Sequence, residues 1–132
     1  FFIFSWLNLN NQKSVMIPMK LDSIYFDLIK SGKKIYETRV FDSKRQKLKL
    51  LDVIEFTNRE TQKKMQAKIV ELAWFPNFRD AITSAGLKKV MPNTRSVDDA
   101  VDLYEKFPHD EGTYQKGAKK FGVLRIKFML VK

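Results

Sequence analysis

Gly32-Lys33-Lys34-Ile35-Tyr36-Glu37-Thr38-Arg39 is the stretch on which the reading of this 132-residue chain turns. Gly32 is suited to end a helix, because it adopts left-handed backbone angles without a steric penalty. A strand beginning near Lys34 carries Ile35, Glu37 and Arg39 on one face and Tyr36 and Thr38 on the other. Two charges beside an apolar residue do not make a core face. They fit either a solvated strand or a polar cleft in which Glu37 and Arg39 are held side by side.

The flanks organise around this strand. Residues 19–21 read as a short strand. Ile24, Tyr25 and Leu28 recur at helical spacing through Ser31, with Asp22 or Ser23 as start and Gly32 as stop. The motif strand is expected over 34–41. Residues 42–49 follow as a loop holding Lys44, Arg45, Lys47 and Lys49, either a solvated turn or a phosphate-contacting loop.

Next, 53–57 alternates Val53, Glu55 and Thr57 against Ile54 and Phe56, and 65–74 alternates again before Pro76. With the polar turn between them these form a hairpin. Phe78–Ala85 reads as a short helix ending at Gly86, and 87–95 as irregular chain. Ser96 caps a helix whose apolar face is Val97, Ala100, Val101 and Tyr104, with Asp98, Asp99 and Asp102 suiting its N-terminal half. Residues 109–120 read as a flexible basic loop without the spacing of a P-loop. The clearest strand is 123–131, where Leu124, Ile126, Phe128 and Leu130 form a core face. No internal repeat appears. Strands interrupted by helices, with a long alternating last strand, point to a small barrel.

The octet fits G-x-K-x-x-E-x-R, with Gly32, Lys34, Glu37 and Arg39 in the fixed places. It resembles the signature of the ASCH domain family, relatives of the PUA RNA-binding domains. The order of segments is also similar: a strand and helix before the motif, basic residues 44–49, Asp52 before a strand, an acidic helix near 96–107, and Phe121-Gly122-Val123 opening the last strand. Leu51 stands where the family usually has Gly. The resemblance covers 19–130. It implies an α+β fold, a PUA-like small mixed β-pseudo-barrel with flanking helices and a cleft beside the motif strand.

The chain is long enough for one domain with a sizeable core. The expected division is an N-terminal extension, 1–15, and a domain over 16–132. The opening Phe1-Phe2-Ile3-Phe4-Ser5-Trp6-Leu7 is apolar but far short of the roughly 20 residues needed to cross a bilayer. It also lacks the basic start and small-residue cleavage site of a secretory signal. With no cysteine and a single histidine, disulfides, zinc–thiolate sites and cysteine nucleophiles are excluded. His109, alone, reads as a surface residue. No metal site or cofactor is expected, and an intracellular location, cytoplasmic or nuclear, fits.

The formal charge is +10. Residues 98–111 hold six of the 15 acids, leaving 24 basic against 9 acidic residues elsewhere. Such a field favours polyanions through counterion release. Many lysine-rich proteins nevertheless bind no nucleic acid, so charge alone leaves the partner open.

The expected function is binding of RNA, single-stranded by preference, or of a nucleotide-like small molecule. Lys34, Glu37 and Arg39 would form the centre, with Arg39 offering forked contacts. Tyr36, Trp74 or Phe75 would stack on a splayed base, although Trp74 also fits core packing. Lys44, Arg45, Lys116, Lys119 and Lys120 would contact phosphates. The alternatives are a hydrolase and a protein-interaction module in transcription or translation regulation, its partner unidentified. The resemblance extends to relatives that hydrolyse acylated cytidines with a Lys and a Thr of the motif and a distant Glu. Lys34 matches that Lys, but Glu37 occupies the Thr position. Ribonuclease activity, also attributed to relatives, would use Lys34 and Glu37 as acid and base.

Overall fold

The computed structural model describes residues 16–132. The proposed extension 1–15 and its aromatic run lie outside the described residues. The elements are β1 (Met16–Leu21), α1 (Ser23–Lys30), β2 (Tyr36–Val40), a 3-10 turn (Arg45–Lys47), β3 (Val53–Asn58) and β4 (Lys64–Phe75). There follow α2 (Phe78–Ala85), α3 (Leu87–Val90), α4 (Val97–Lys106), β5 (Pro108–His109), β6 (Gly112–Thr113), α5 (Tyr114–Phe121) and β7 (Val123–Leu130).

One mixed sheet of five strands runs in the order β1-β3-β4-β7-β2. Only the β1–β3 pair is parallel. β3 and β4 form the expected hairpin, and a bulge between Ile69 and Glu71 lets the long β4 bend as it passes from β3 to β7. The edges β1 and β2 face each other across the open side, where Arg39 Nη2 lies 3.3 Å from the Lys20 carbonyl. The result is the expected α+β architecture, a curled half-barrel with helices around it.

Both faces of the sheet are buried. On the inner face Phe56, Ile69, Ile126 and Phe128 pack with Phe26 and Ile29 of α1. On the outer face Val40, Tyr36 and Val123 pack beneath Phe78 and Ile82 of α2 and Ala100 and Tyr104 of α4. Each such side chain contributes about 1.5–3 kcal/mol by leaving water.

Several expectations are corrected. The buried face of α1 is Phe26 and Ile29, with Tyr25 and Leu28 partly buried and Ile24 half exposed; apolar residues encircle this helix, so their spacing marks the helix without marking its buried face. β7 lies between two strands and is covered on both sides, so Arg125 is buried. Its guanidinium stacks over Tyr36 and Phe75, donates to Ala81 and Ser84, and pairs with Glu71 at 3.2 Å.

Residues 109–120 are not a flexible loop. They hold the β5–β6 hairpin and α5, which starts where the Thr113 hydroxyl accepts the Lys116 N–H. Gly117 lies inside that helix, where it allows close approach to Val40 and His109. His109 is not a surface residue: Nε2 sits 2.9 Å from Asp42, and Nδ1 accepts the Glu111 N–H. The region 87–95, expected to be irregular, begins with the single turn α3.

Leu51, where the resemblance leads one to expect Gly, holds φ at 73°. The turn therefore keeps a left-handed conformation that costs a branched side chain about 1–2 kcal/mol. Leu51 N–H bonds the Ile69 carbonyl, and buried Asp52 accepts the Lys49 N–H, which together hold the turn.

Candidate ligand cleft

Gly32, at φ 82°, reverses the chain after α1, and the N–H groups of Lys33 and Lys34 both return to the Leu28 carbonyl. Ile35 N–H then bonds Lys89. These bonds fix Lys34 ahead of β2, which begins at Tyr36 rather than at Lys34. Glu37 and Arg39 pair across with Ile126 and Leu124, so their side chains share the inner face. Tyr36 pairs with Lys127 and faces outward. The spacing thus holds Glu37 and Arg39 side by side as anticipated, at the free edge of the sheet.

Glu37 is the hub. Arg39 donates to its Oε2 through Nε at 3.2 Å and Nη2 at 3.0 Å. Its Oε1 accepts the Thr38 N–H and lies 3.6 Å from Lys34 Nζ. Burial pushes the Glu37 carboxyl upward, but Arg39 and Lys34 outweigh it and hold the group below its ordinary range. Burial likewise opposes the Arg39 cation, yet Glu37 and Tyr114 leave it raised.

Lys34 is only 1% exposed. Its ammonium donates to the Val90 carbonyl and to the Tyr104 hydroxyl. Burial lowers its pKa, and Glu37 offsets this only in part. Burial, then the Glu37 charge, raises the Tyr104 hydroxyl well above its ordinary value.

Above Glu37 and Arg39 opens a cleft of about 310 Å³. Tyr25 from α1, Tyr104 and Phe107 from α4 and its end, and Tyr114 from α5 wall it. Lys20, Asp22 and Arg59 form its polar rim, and Arg59 pairs with Asp22 at 3.4 Å. A second hollow of about 290 Å³ shares Arg39, Arg59, Pro108 and Tyr114 with the first. It continues past Lys44, Arg45, Asp42 and His109.

The residues anticipated from sequence are therefore distributed over the molecule. Glu37 and Arg39 line the cleft, and Lys44 and Arg45 line its continuation. Lys34 supports Glu37 from below, with its ammonium turned to Val90 and Tyr104. Tyr36 is buried against Arg125 on the outer face, so it lies away from the cleft. Trp74 is neither core nor cleft: it is 54% exposed, donates to the Phe121 carbonyl at 3.1 Å and lies against Gly122. Phe75 stacks on Arg125. Lys116, Lys119 and Lys120 stand exposed on α5, and Lys120 pairs with Glu111.

Sequence reading missed Tyr25, Tyr104, Phe107, Tyr114 and Arg59. Tyr104 carried the only available signal, a hydroxyl on an otherwise apolar helix stripe. Tyr114 lay hidden in a stretch read as loop. Among the described residues no group of three or more His, Cys, Asp or Glu is placed to hold a metal ion. No described helix is long and apolar enough to cross a membrane.

The ASCH domain profile matches residues 19–132. The crystal structure of hypothetical protein PH0355 is similar at 30% identity and TM-score 0.76, covering 89% of this chain and 100% of that one. The solution structure of protein PF0455 from Pyrococcus furiosus is similar at 29% identity and TM-score 0.70, covering 89% and 99%. The chain matches no curated protein.

Proposed function

Because the chain belongs to the ASCH domain family, we propose that this PUA-like module binds single-stranded RNA, or a nucleotide-like ligand, with one unstacked base in the cleft above Glu37 and Arg39. The observation that carries the reading is the combination of aromatic walls with a charged floor at an open sheet edge. A volume near 310 Å³ suits a single base and its sugar. Tyr25, Tyr104, Phe107 and Tyr114 offer ring faces or edges to that base.

Arg39 uses Nε and Nη2 on Glu37 and Lys20. A guanidinium has five N–H donors, so others remain for a ligand. Glu37 orients Arg39 and keeps it charged. Lys34 keeps Glu37 charged from beneath. A binding role thus needs no titration of either group.

The test is titration of a fluorescent single-stranded RNA into wild type and Arg39→Ala, at low and near-physiological salt. Glu37 keeps Lys34 as its partner in the variant, so the fold persists. The expected result is a loss of about tenfold or more, as for a charge-assisted contact, that remains at the higher salt. Equal affinity in a folded variant, or binding by both that salt abolishes alike, would assign the interaction to net charge and refute the cleft.

A further inference from the structure

The continuation of the cleft contains an arginine whose surroundings do not account for it. Arg45 is half buried, yet among the described residues its guanidinium makes no salt bridge and no side-chain hydrogen bond. The backbone of the same residue is well held: its N–H bonds both the Asp42 carbonyl and the Asp42 carboxylate. The 3-10 turn Arg45–Lys47 follows from that anchoring, and Arg45 lines the hollow together with Arg39.

Burial and then the Arg39 charge both act against the Arg45 cation, lowering its pKa. Tyr114, Asp42 and Glu37 oppose this without reversing it. The acids of the hollow are already engaged: Asp42 holds His109, and Glu111 holds Lys120. Asp110 is exposed at the rim. Glu37 is shared between Arg39 and Lys34. Arg45 is therefore a cation held near another cation which, although Asp42 and Glu37 act on it electrostatically, forms no salt bridge among the described residues.

We propose that this second hollow is a phosphate subsite, held by Arg45 with Arg39 and Arg59, and that the cleft therefore selects a nucleotide over the corresponding nucleoside. The inference rests on the cleft reading above and adds the chemical class of its ligand. The two hollows share Arg39, Arg59, Pro108 and Tyr114. A nucleotide carries its base and phosphate on opposite sides of its sugar, so one ligand can occupy both. A planar guanidinium matches two phosphate oxygens at once, and a second arginine makes a dianion the favoured guest. Lys44 stands exposed beside the hollow and adds charge without a fixed geometry.

The experiment is calorimetric titration of the full chain with the four ribonucleosides, their 5′-monophosphates and inorganic phosphate, in wild type and Arg45→Gln. The expected result is that at least one monophosphate binds about tenfold or more tightly than its nucleoside, a contrast that Arg45→Gln reduces to within about threefold. Binding of nucleoside and nucleotide with equal affinity would overturn the phosphate subsite and leave the base cleft standing. A preference that persists undiminished in folded Arg45→Gln would also overturn it. If nucleosides and nucleotides alike fail to bind while RNA does, the subsite is again refuted. If RNA fails as well, the cleft reading falls with it.

Discussion

Glu37→Gln changes one atom and tests the arrangement at the centre of the cleft. Glu37 is 6% exposed, and among the described residues it is the only carboxylate that pairs with either Lys34 or Arg39. The amide keeps the volume and removes the charge. Two buried cations then face each other without an anion between them. Breaking a buried pair in this way costs about 3–5 kcal/mol. Lys34 already has a lowered pKa and can shed its proton, which limits the loss, so about 3 kcal/mol is expected.

For a domain of this size that corresponds to a fall in Tm of roughly 10 °C. Urea unfolding at pH 7 measures the free energy directly. The variant Lys34→Met removes one of the two cations, and Glu37→Gln should cost less in that background, with a coupling of about 1–3 kcal/mol.

The pH dependence has a definite sign. The folded pKa of Glu37 lies below its unfolded value of 4.5. In acid the unfolded chain therefore binds the proton first. The stabilisation is complete above 4.5 and disappears as pH falls through the folded value. Wild type and Glu37→Gln should accordingly converge in stability as pH is lowered from 7 towards 3. A loss below about 1 kcal/mol at neutral pH, or a difference that does not change with pH, would refute the claim that Glu37 neutralises these cations.

Three further substitutions follow from the fold. Leu51→Gly should stabilise by about 0.5–1 kcal/mol in urea unfolding, because relief of the left-handed strain exceeds the freedom gained by the unfolded chain. Leu51→Ala keeps that strain and should show no gain, so equal effects would argue against it. Gly122→Ala places a Cβ 2.4 Å from Trp74 Nε1 at a residue with φ 77°, and should cost about 2 kcal/mol or more. Trp74→Ala in the same background should recover part of that loss, and no recovery would separate the strain from the ring. Tyr104→Phe should flatten the alkaline limb of stability. The hydroxyl's folded pKa lies well above 10.0, so stability present below that pH is lost as pH rises and the unfolded tyrosine ionises. Urea midpoints from pH 8 to 11 that fall equally in both proteins would contradict this.

What the sequence disclosed depended on the kind of signal. Period-two alternation placed β3, β4 and β7, because cross-strand packing is written in adjacent residues. The cap signal at Ser96 was legible too, since its hydroxyl accepts the Asp99 N–H at 3.1 Å; Asp22 makes no side-chain cap bond to α1, and the capping roles of Asn77 and Thr113 at α2 and α5 went unread. The failures were of two other kinds. α5 holds Gly117 in its middle and is flanked by Gly112 and Gly122, so its propensity reads as loop, and the packing of Gly117 against Val40 and His109 explains its presence. The cleft aromatics come from α1, α4 and α5, brought together by the curl of the sheet. No local pattern encodes that meeting.

The octet itself divides into two halves with different duties. Gly32 and Lys34 belong to the scaffold, since one turns the chain and the other ties β2 to Val90 and Tyr104. Glu37 and Arg39 face the cleft. The halves are coupled because the Lys34 charge helps to keep Glu37 ionised, and Glu37 in turn holds Arg39 in its orientation. A buried lysine can thus govern, through Glu37, how Arg39 presents itself, which is why Lys34→Met should weaken RNA binding less than Arg39→Ala yet shift its acid limb upward in pH. Glu37 would then rely on Arg39 alone, so its pKa rises and protonation frees Arg39 earlier as the solution is acidified. RNA titrations of wild type and Lys34→Met from pH 7 to 4 measure that shift, and superimposable profiles would show that the two halves of the motif act independently.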